Sequence, residues 1–274
     1  MISSLYYRLL TLALRPLIHK RGVQCYLVSY PKCGRTWLRL LVGKALCDHF
    51  HLPEARMIDT YNLTAGPGVL RTHFTHDYAD IRLGYPYNQL PADKTGYALA
   101  KVIFLMRDVR DTLVSSYFQA SKRVNRFHGP IADFVRDERY GIKKILTFYN
   151  LWYANQSLPR DFLLLRYEDL HHDPVTTLRR TLQFMEVADV DEALLTTAVA
   201  FASFDNMKQM ESKGTFADGK MLPGQKKDQS SFKVRQGKIG GYVEHLSHAD
   251  LAYIDGVVQQ MGCPFAEIID NTGD

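Results

Sequence analysis

Residues 26–41, YLVSYPKCGRTWLRLL, admit few folds. The apolar run at 26–28 reads as a buried strand, a Pro-Lys-Cys-Gly-Arg-Thr turn follows, and residues 37–46 carry apolar side chains at helical spacing. A strand feeding a basic, glycine-containing turn and then a helix N-terminus is a phosphate cradle. Unpaired backbone N–H groups and the positive end of the helix dipole converge there on one anion. Lys32 adds a full charge and Thr36 a hydroxyl in the first turn. Apolar runs at 102–106 and 162–165 alternate with helical stretches in the same way. The pattern predicts an α/β chain: a P-loop-like central parallel β-sheet flanked by helices on both faces.

The order of residues within the turn narrows the reading. A Walker A loop is G-x-x-x-x-G-K-[ST], with its lysine after the glycine. Here Lys32 precedes Gly34 and no glycine opens the loop, so an ordinary P-loop kinase or ATPase is a poor match. The stretch resembles instead the 5′-phosphosulfate loop, Y-P-K-S-G-T-x-W, of sulfotransferases that use 3′-phosphoadenosine 5′-phosphosulfate (PAPS). Tyr30, Pro31, Lys32, Gly34, Thr36 and Trp37 match, while Cys33 stands for a serine and Arg35 for a threonine.

Four further segments carry the same resemblance, in the expected order. Arg107 closes the run at 102–106, and Ser115 lies eight residues on, inside a helix that Asp108 can cap and whose first turn suits Asp111 and Thr112. This is similar to the family's 3′-phosphate segment, and a guanidinium and a hydroxyl suit that anion. The stretch GVLRTHF at 68–74 reads as a short strand ending in a histidine; Arg71, Thr72 and His73 match the family's [K/R]-[T/S]-H, whose histidine is the catalytic base. Among ten histidines only His73 has this setting, and a base with a pKa near neutrality is what a hydroxyl acceptor needs. FLLLRYEDLHHDP at 162–174 resembles R/F-Y-E-D-x-x-x-x-P, with Asp173-Pro174 starting a helix. FKVRQGKIGGY at 232–242 resembles R-K-G-x-x-G-D-W through Arg235, Gly237 and Gly240, with Gln236, Gly241 and Tyr242 departing from it.

The resemblance implies a site. His73 would take the acceptor proton, and Lys32 would stabilise charge on the oxygen bridging sulfur and phosphate. The backbone N–H groups of Cys33, Gly34, Arg35 and Thr36 would hold the 5′-phosphate, with Trp37 and Tyr167 beside adenine. Arg107, Ser115 and Arg235, closed over by Gln236 and Gly237, would fix the 3′-phosphate. Tyr167 also suits plain core packing. PAPS is the implied sulfuryl donor and PAP the product; no metal is required, since Lys32 and helix dipoles neutralise the charge. The reaction expected is sulfuryl transfer to a hydroxyl of a small-molecule or lipid-like acceptor. A nucleotide kinase-like phosphotransferase would share sheet and cradle and would need Mg²⁺ near Asp108 and Asp111, but the loop order argues against it. A non-catalytic PAP-binding module would lack a reason for both His73 and Lys32.

Composition agrees with an enzyme. A chain of 274 residues can bury a sizeable core as one domain. The net charge of +5 fits anionic ligands, but no dense basic stripe of the kind a nucleic-acid binder carries is visible. Cysteines 25, 33, 47 and 263 lack C-x-x-C spacing, which fits a reducing, cytoplasmic setting. Residues 1–22 read as a helical extension on a single domain, 23–274. Arg8 and Arg15 interrupt the apolar 2–18 stretch, which is too broken for a membrane span and lacks the plan of a secretory signal. Two readings stand for it: an amphipathic helix packed on the domain, or a peripheral membrane contact with Arg8, Arg15, Lys20 and Arg21 at anionic head groups. Residues 76–94 and 213–231 read as loops that shape the acceptor site, with Phe74, Tyr85, Tyr87, Phe118 and Phe127 as candidates for an apolar lining. The family's K-x-x-x-T-V-x-x-x-E dimer segment has no counterpart near the C-terminus, where GYVEHLSHADLAYI stands, so the oligomeric state is open.

Overall fold

The computed structural model describes residues 4–66, 68–216, 232 and 237–265. Four parallel strands form one sheet: β1 (Cys25–Ser29), β2 (Thr72–Thr75), β3 (Lys101–Met106) and β4 (Asp161–Arg166), in the order β2-β1-β3-β4. Every residue of β1 is buried, and so are Val102 to Met106 of β3. Successive strand residues point to opposite faces, so both faces of the central strands are covered. On one face Phe104 packs against Phe148, Trp152 and Phe265 at centroid distances of 5.8, 5.7 and 5.1 Å.

The helices follow the signals that predict them. After α1 (Ser4–Ile18) comes α2 (Arg35–His49), which starts at Gly34, whose φ of 88° ends the turn. A single turn, α3 (Thr60–Leu63), precedes β2. Asp108 caps α4 (Val109–Phe118) by accepting from the N–H groups of Arg110 and Asp111. Next come α5 (Ile131–Arg136), α6 (Ile142–Ala154) and α7 (Tyr167–His172). Asp173 caps α8 (Pro174–Phe184), with proline in the first turn where its missing N–H costs nothing. The remaining helices are α9 (Glu192–Phe201), α10 (Phe204–Lys213) and α11 (His248–Met261).

Two segments depart from the sequence expectation. Strand β2 starts at Thr72, not 68, because Gly68 takes a φ of 87° and the Leu70 N–H donates to Met185 instead of the sheet. It then runs past His73 to Thr75, so the histidine sits within the strand, in register with Tyr26. The 76–94 stretch is irregular, as expected, but it is anchored from inside. Asp77 and Lys94, both almost fully buried, form a 2.6 Å ion pair. Asp77 also accepts from Tyr97 Oη at 2.7 Å and Trp152 Nε1 at 3.0 Å.

Helix α1 lies on this same stretch. Tyr7 is buried and donates to the Gly84 carbonyl, Thr11 Oγ1 lies 3.0 Å from Tyr85 Oη, and Tyr78 donates to the Thr11 carbonyl. Its outer face leaves Leu5, Tyr6, Leu9, Leu12 and Leu17 exposed. Among the described residues no helix is long and apolar enough to cross a membrane.

Candidate active site

The strand order, not the strand direction, reverses between β1 and β3: the chain leads from β1 outward to β2 on one side, then crosses back to β3 on the other. In open α/β sheets the crevice at the carboxyl ends of such strands is the ligand site. Both the 31–36 turn, after β1, and Arg107, after β3, lie there. They line one cavity of about 770 Å³ together with His73, Trp37, Ser115 and Tyr167.

The cradle is built by backbone strain and an open helix end. Lys32 has a φ of 74° and Gly34 one of 88°, so consecutive peptide units turn their N–H groups inward. No side chain caps the first turn of α2, leaving its N-terminal N–H groups to meet an anion. Cys33 faces the other way. Its buried thiol lies 3.3 Å from Tyr149 Oη and 3.8 Å from Thr112 Oγ1, and burial pushes its pKa up to about 11. Only its backbone is available to a ligand. Gly34 cannot be enlarged, because a Cβ there would lie 2.5 Å from the Tyr167 ring. Gly34→Ala, strained in backbone and clashing with a buried ring, is expected to lose about 1–3 kcal/mol of stability in urea unfolding. Wild-type stability would refute this tight approach.

Tyr167 and Trp37 meet edge to face, 6.0 Å apart, and His171 lies edge-on to Trp37 at 6.2 Å. Arg107 lies over the Tyr167 ring at 4.3 Å. Its Nη2 donates to the Lys238 carbonyl at 2.9 Å and its Nη1 to the Lys32 carbonyl at 3.4 Å, while Nε is buried without a partner among the described residues. The guanidinium also stands 3.6 Å from Asp111. Asp111 in turn accepts from the N–H groups of Gly240 and Tyr242 at 2.8 and 3.0 Å, so it ties the glycine-rich 237–242 stretch to α4. Gly237 lines the cavity and packs on Phe204. The Lys238 ammonium pairs with Glu244. Arg235 and Gln236 lie outside the described residues.

His73 lines the cavity from β2, flanked edge-on by Tyr26 at 6.2 Å and Tyr61 at 6.0 Å. Burial first, and then the charges of Lys20, Arg39 and Arg35, hold its pKa down to about 3, against a smaller opposite pull from the Leu17 backbone. The ring is therefore neutral at pH 7, with a nitrogen lone pair free to take a proton.

Several contributors were not legible in the sequence. Asp111 reads as a first-turn helix residue, yet it fastens a loop 129 residues away. Tyr149 accepts from the Arg107 N–H and donates to its carbonyl, fixing the exit from β3, and nothing in its local sequence marks it. His76, whose Nδ1 lies 2.9 Å from the Ser29 carbonyl, and Arg39 both line the cavity. Arg39 was findable: it lies four residues after Arg35, on the same helix face. Of the aromatics expected at the acceptor wall, Phe74 reaches this cavity; Tyr85 is taken up by packing on Tyr7, and Phe118 packs on Tyr117 and His245.

Fold and cleft together define a class: a P-loop-like α/β protein in which an anion cradle and a neutral imidazole open on one cavity. The sulfotransferase domain family matches residues 24–263, and the chain belongs to that family. It is 25% identical over 271 residues to cytosolic sulfotransferase 17 of Arabidopsis thaliana, covering 86% of this chain and 73% of that one. With the flavonol 4′-sulfotransferase of Flaveria chlorifolia it shares 23% identity over 255 residues, covering 86% and 78%. Its fold superposes on a mouse sulfotransferase crystallised with PAP at a TM-score of 0.65 and 21% identity, covering 91% and 88% of the two chains.

Proposed function

We propose that this sulfotransferase takes PAPS as donor and transfers its sulfuryl group to a hydroxyl of a small-molecule or lipid-like acceptor, leaving PAP and a sulfate ester. One observation carries the reading: the cradle after β1 and His73 on the neighbouring strand β2 line the same cavity. The donor set fits a doubly anionic nucleotide. An uncapped helix end and Lys32 suit the 5′ end, and Arg107, whose buried Nε has no partner among the described residues, and Ser115 suit the 3′ end. Arg235, Gln236 and Gly237 are assigned to that end from the sequence.

PAPS, once bound, supplies an electrophilic sulfur and a phosphate leaving group. His73 orients the acceptor hydroxyl and receives its proton as the acceptor oxygen forms the new S–O bond. The bond from sulfur to the bridging oxygen breaks, and that oxygen keeps the electron pair. Lys32 stabilises the charge left there, and the cradle N–H groups of Cys33, Gly34, Arg35 and Thr36 hold the phosphate still. Trp37 and Tyr167 offer adenine an aromatic corner. Calorimetric titration with PAP against ATP plus Mg²⁺, followed by label transfer from PAPS, tests the reading. Tight ATP binding that needs Mg²⁺, with no PAP binding, would overturn it. In the same assay Arg107→Ala is expected to weaken PAP at least tenfold more than 5′-AMP; equal losses would remove Arg107 from the 3′-phosphate.

Residues 2–18 are read as a peripheral membrane contact. The support is the exposed Leu5, Leu9, Leu12 and Leu17 face of α1, with exposed Arg8 and Arg15 beside it. Co-sedimentation is expected with vesicles containing phosphatidylserine and not with phosphatidylcholine alone, and Leu9→Ser/Leu12→Ser is expected to abolish it. Equal recovery of this variant would refute the contact. A cytoplasmic setting is supported by relatives named cytosolic and by four buried cysteines that form no disulfide.

A further inference from the structure

The first turn of α2 divides the cavity. Residues two apart on a helix point in nearly opposite directions, and residues four apart share a face. Trp37 faces Tyr167 and His171, on the nucleotide side. Arg35 and Arg39 face the other way, and the Arg39 guanidinium sits 4.6 Å over the ring of Phe74, next to His73 on β2. Lys20 reaches the same half from beyond α1, with its ammonium 4.5 Å from the Tyr61 ring centroid. The carboxylates on this side of the cavity are Asp59 and Asp80. Each already serves the backbone turns around it: Asp59 accepts from Asn62, and Asp80 caps the following turn through the Arg82 N–H.

Arg35 is the decisive residue. Its guanidinium forms no ion pair or hydrogen bond with another described residue, although the residue is half-buried and lines the cavity. A desolvated guanidinium without a counter-ion is costly unless a ligand supplies one. It also occupies the position at which the cradle motif carries a small hydroxyl residue, so this charge is a property of this chain.

Resting on the sulfotransferase reading above, we propose that the acceptor is itself an anion: a hydroxyl compound bearing a carboxylate, sulfate or phosphate that sits between Arg35, Arg39 and Lys20 while its hydroxyl faces His73. The electrostatics of His73 agree. The three cations that oppose its protonation are those an acceptor anion would neutralise, so such a substrate relieves the repulsion as the imidazole takes the proton. Burial and Arg39 likewise hold Arg35 down to about 9, against Asp80, and an anion reverses that effect.

The test uses a matched pair, 3-(4-hydroxyphenyl)propionate and its methyl ester, titrated calorimetrically into the full-length protein saturated with PAP. The carboxylate is expected to bind at least tenfold more tightly. Arg39→Gln is expected to reduce that preference about tenfold while PAP affinity, measured separately, stays within a few-fold. Label transfer from PAPS should show the same preference in kcat/KM. Equal binding of acid and ester, tighter binding of the ester, or binding of neither to the PAP-loaded protein would overturn the proposal. So would an Arg35→Gln variant that loses PAP affinity but keeps the acid preference, since the guanidinium would then serve the donor. Failure of the sulfotransferase reading gives a different result: PAP itself does not bind.

Discussion

Alanine at position 73 is expected to lower turnover by about 10²–10⁴ while leaving PAP affinity near wild type. The ring reaches the cavity from β2 and not from the cradle turn, so its loss removes proton acceptance without touching phosphate contacts. The pH profile separates this role from a structural one. A depressed pKa means that the neutral, proton-accepting form persists down to about pH 3 in the free protein. The acid limb of kcat/KM due to His73 therefore lies near pH 3–4, and not near the 6.5 of an unperturbed imidazole. The same shift bears on stability. Between pH 6.5 and 3 the unfolded chain binds a proton that the folded chain refuses, so stability falls as pH drops through that window, and His73→Ala removes that part of the slope. Unchanged turnover in the variant would take His73 out of the mechanism.

Asp77→Ala is expected to cost about 3–5 kcal/mol of stability, measured by urea unfolding. The substitution strands the Lys94 ammonium, which is 2% exposed, without its 2.6 Å partner, and removes the acceptor of two buried donors, Tyr97 Oη and Trp152 Nε1. Breaking one side of a buried pair costs more than the pair contributes, because the remaining charge cannot reach water. Asp77→Ala/Lys94→Met should recover part of the loss. A single-variant loss below about 1 kcal/mol would show that the network does not hold this segment. The consequence reaches the site, since the anchored stretch carries His76, Asp80 and Arg82 along the cavity wall.

Strands β1, β3 and β4 and the starts of α2, α4 and α8 were legible because each depends on local chemistry: apolar runs, a glycine at positive φ, an aspartate at a helix cap, a proline in a first turn. Strand β2 was legible as a strand but not in its extent. Its start is set by where Gly68 turns and by a hydrogen bond from Leu70 to a carbonyl 115 residues away.

The candidate site divides along the same line. The order Lys32, Gly34, Thr36, Trp37, with Arg107 and Ser115 after the neighbouring strand β3, pointed to an anion cradle, because backbone geometry and charge at a strand–helix junction are properties of a few adjacent residues. Tertiary structure decided which half of the cavity is cationic. It set Arg35, Arg39 and Lys20 around His73, gave Asp111 a loop to hold, and held the His73 imidazole neutral. Desolvation and Coulomb coupling depend on which groups meet through space, and no stretch of sequence contains that distance.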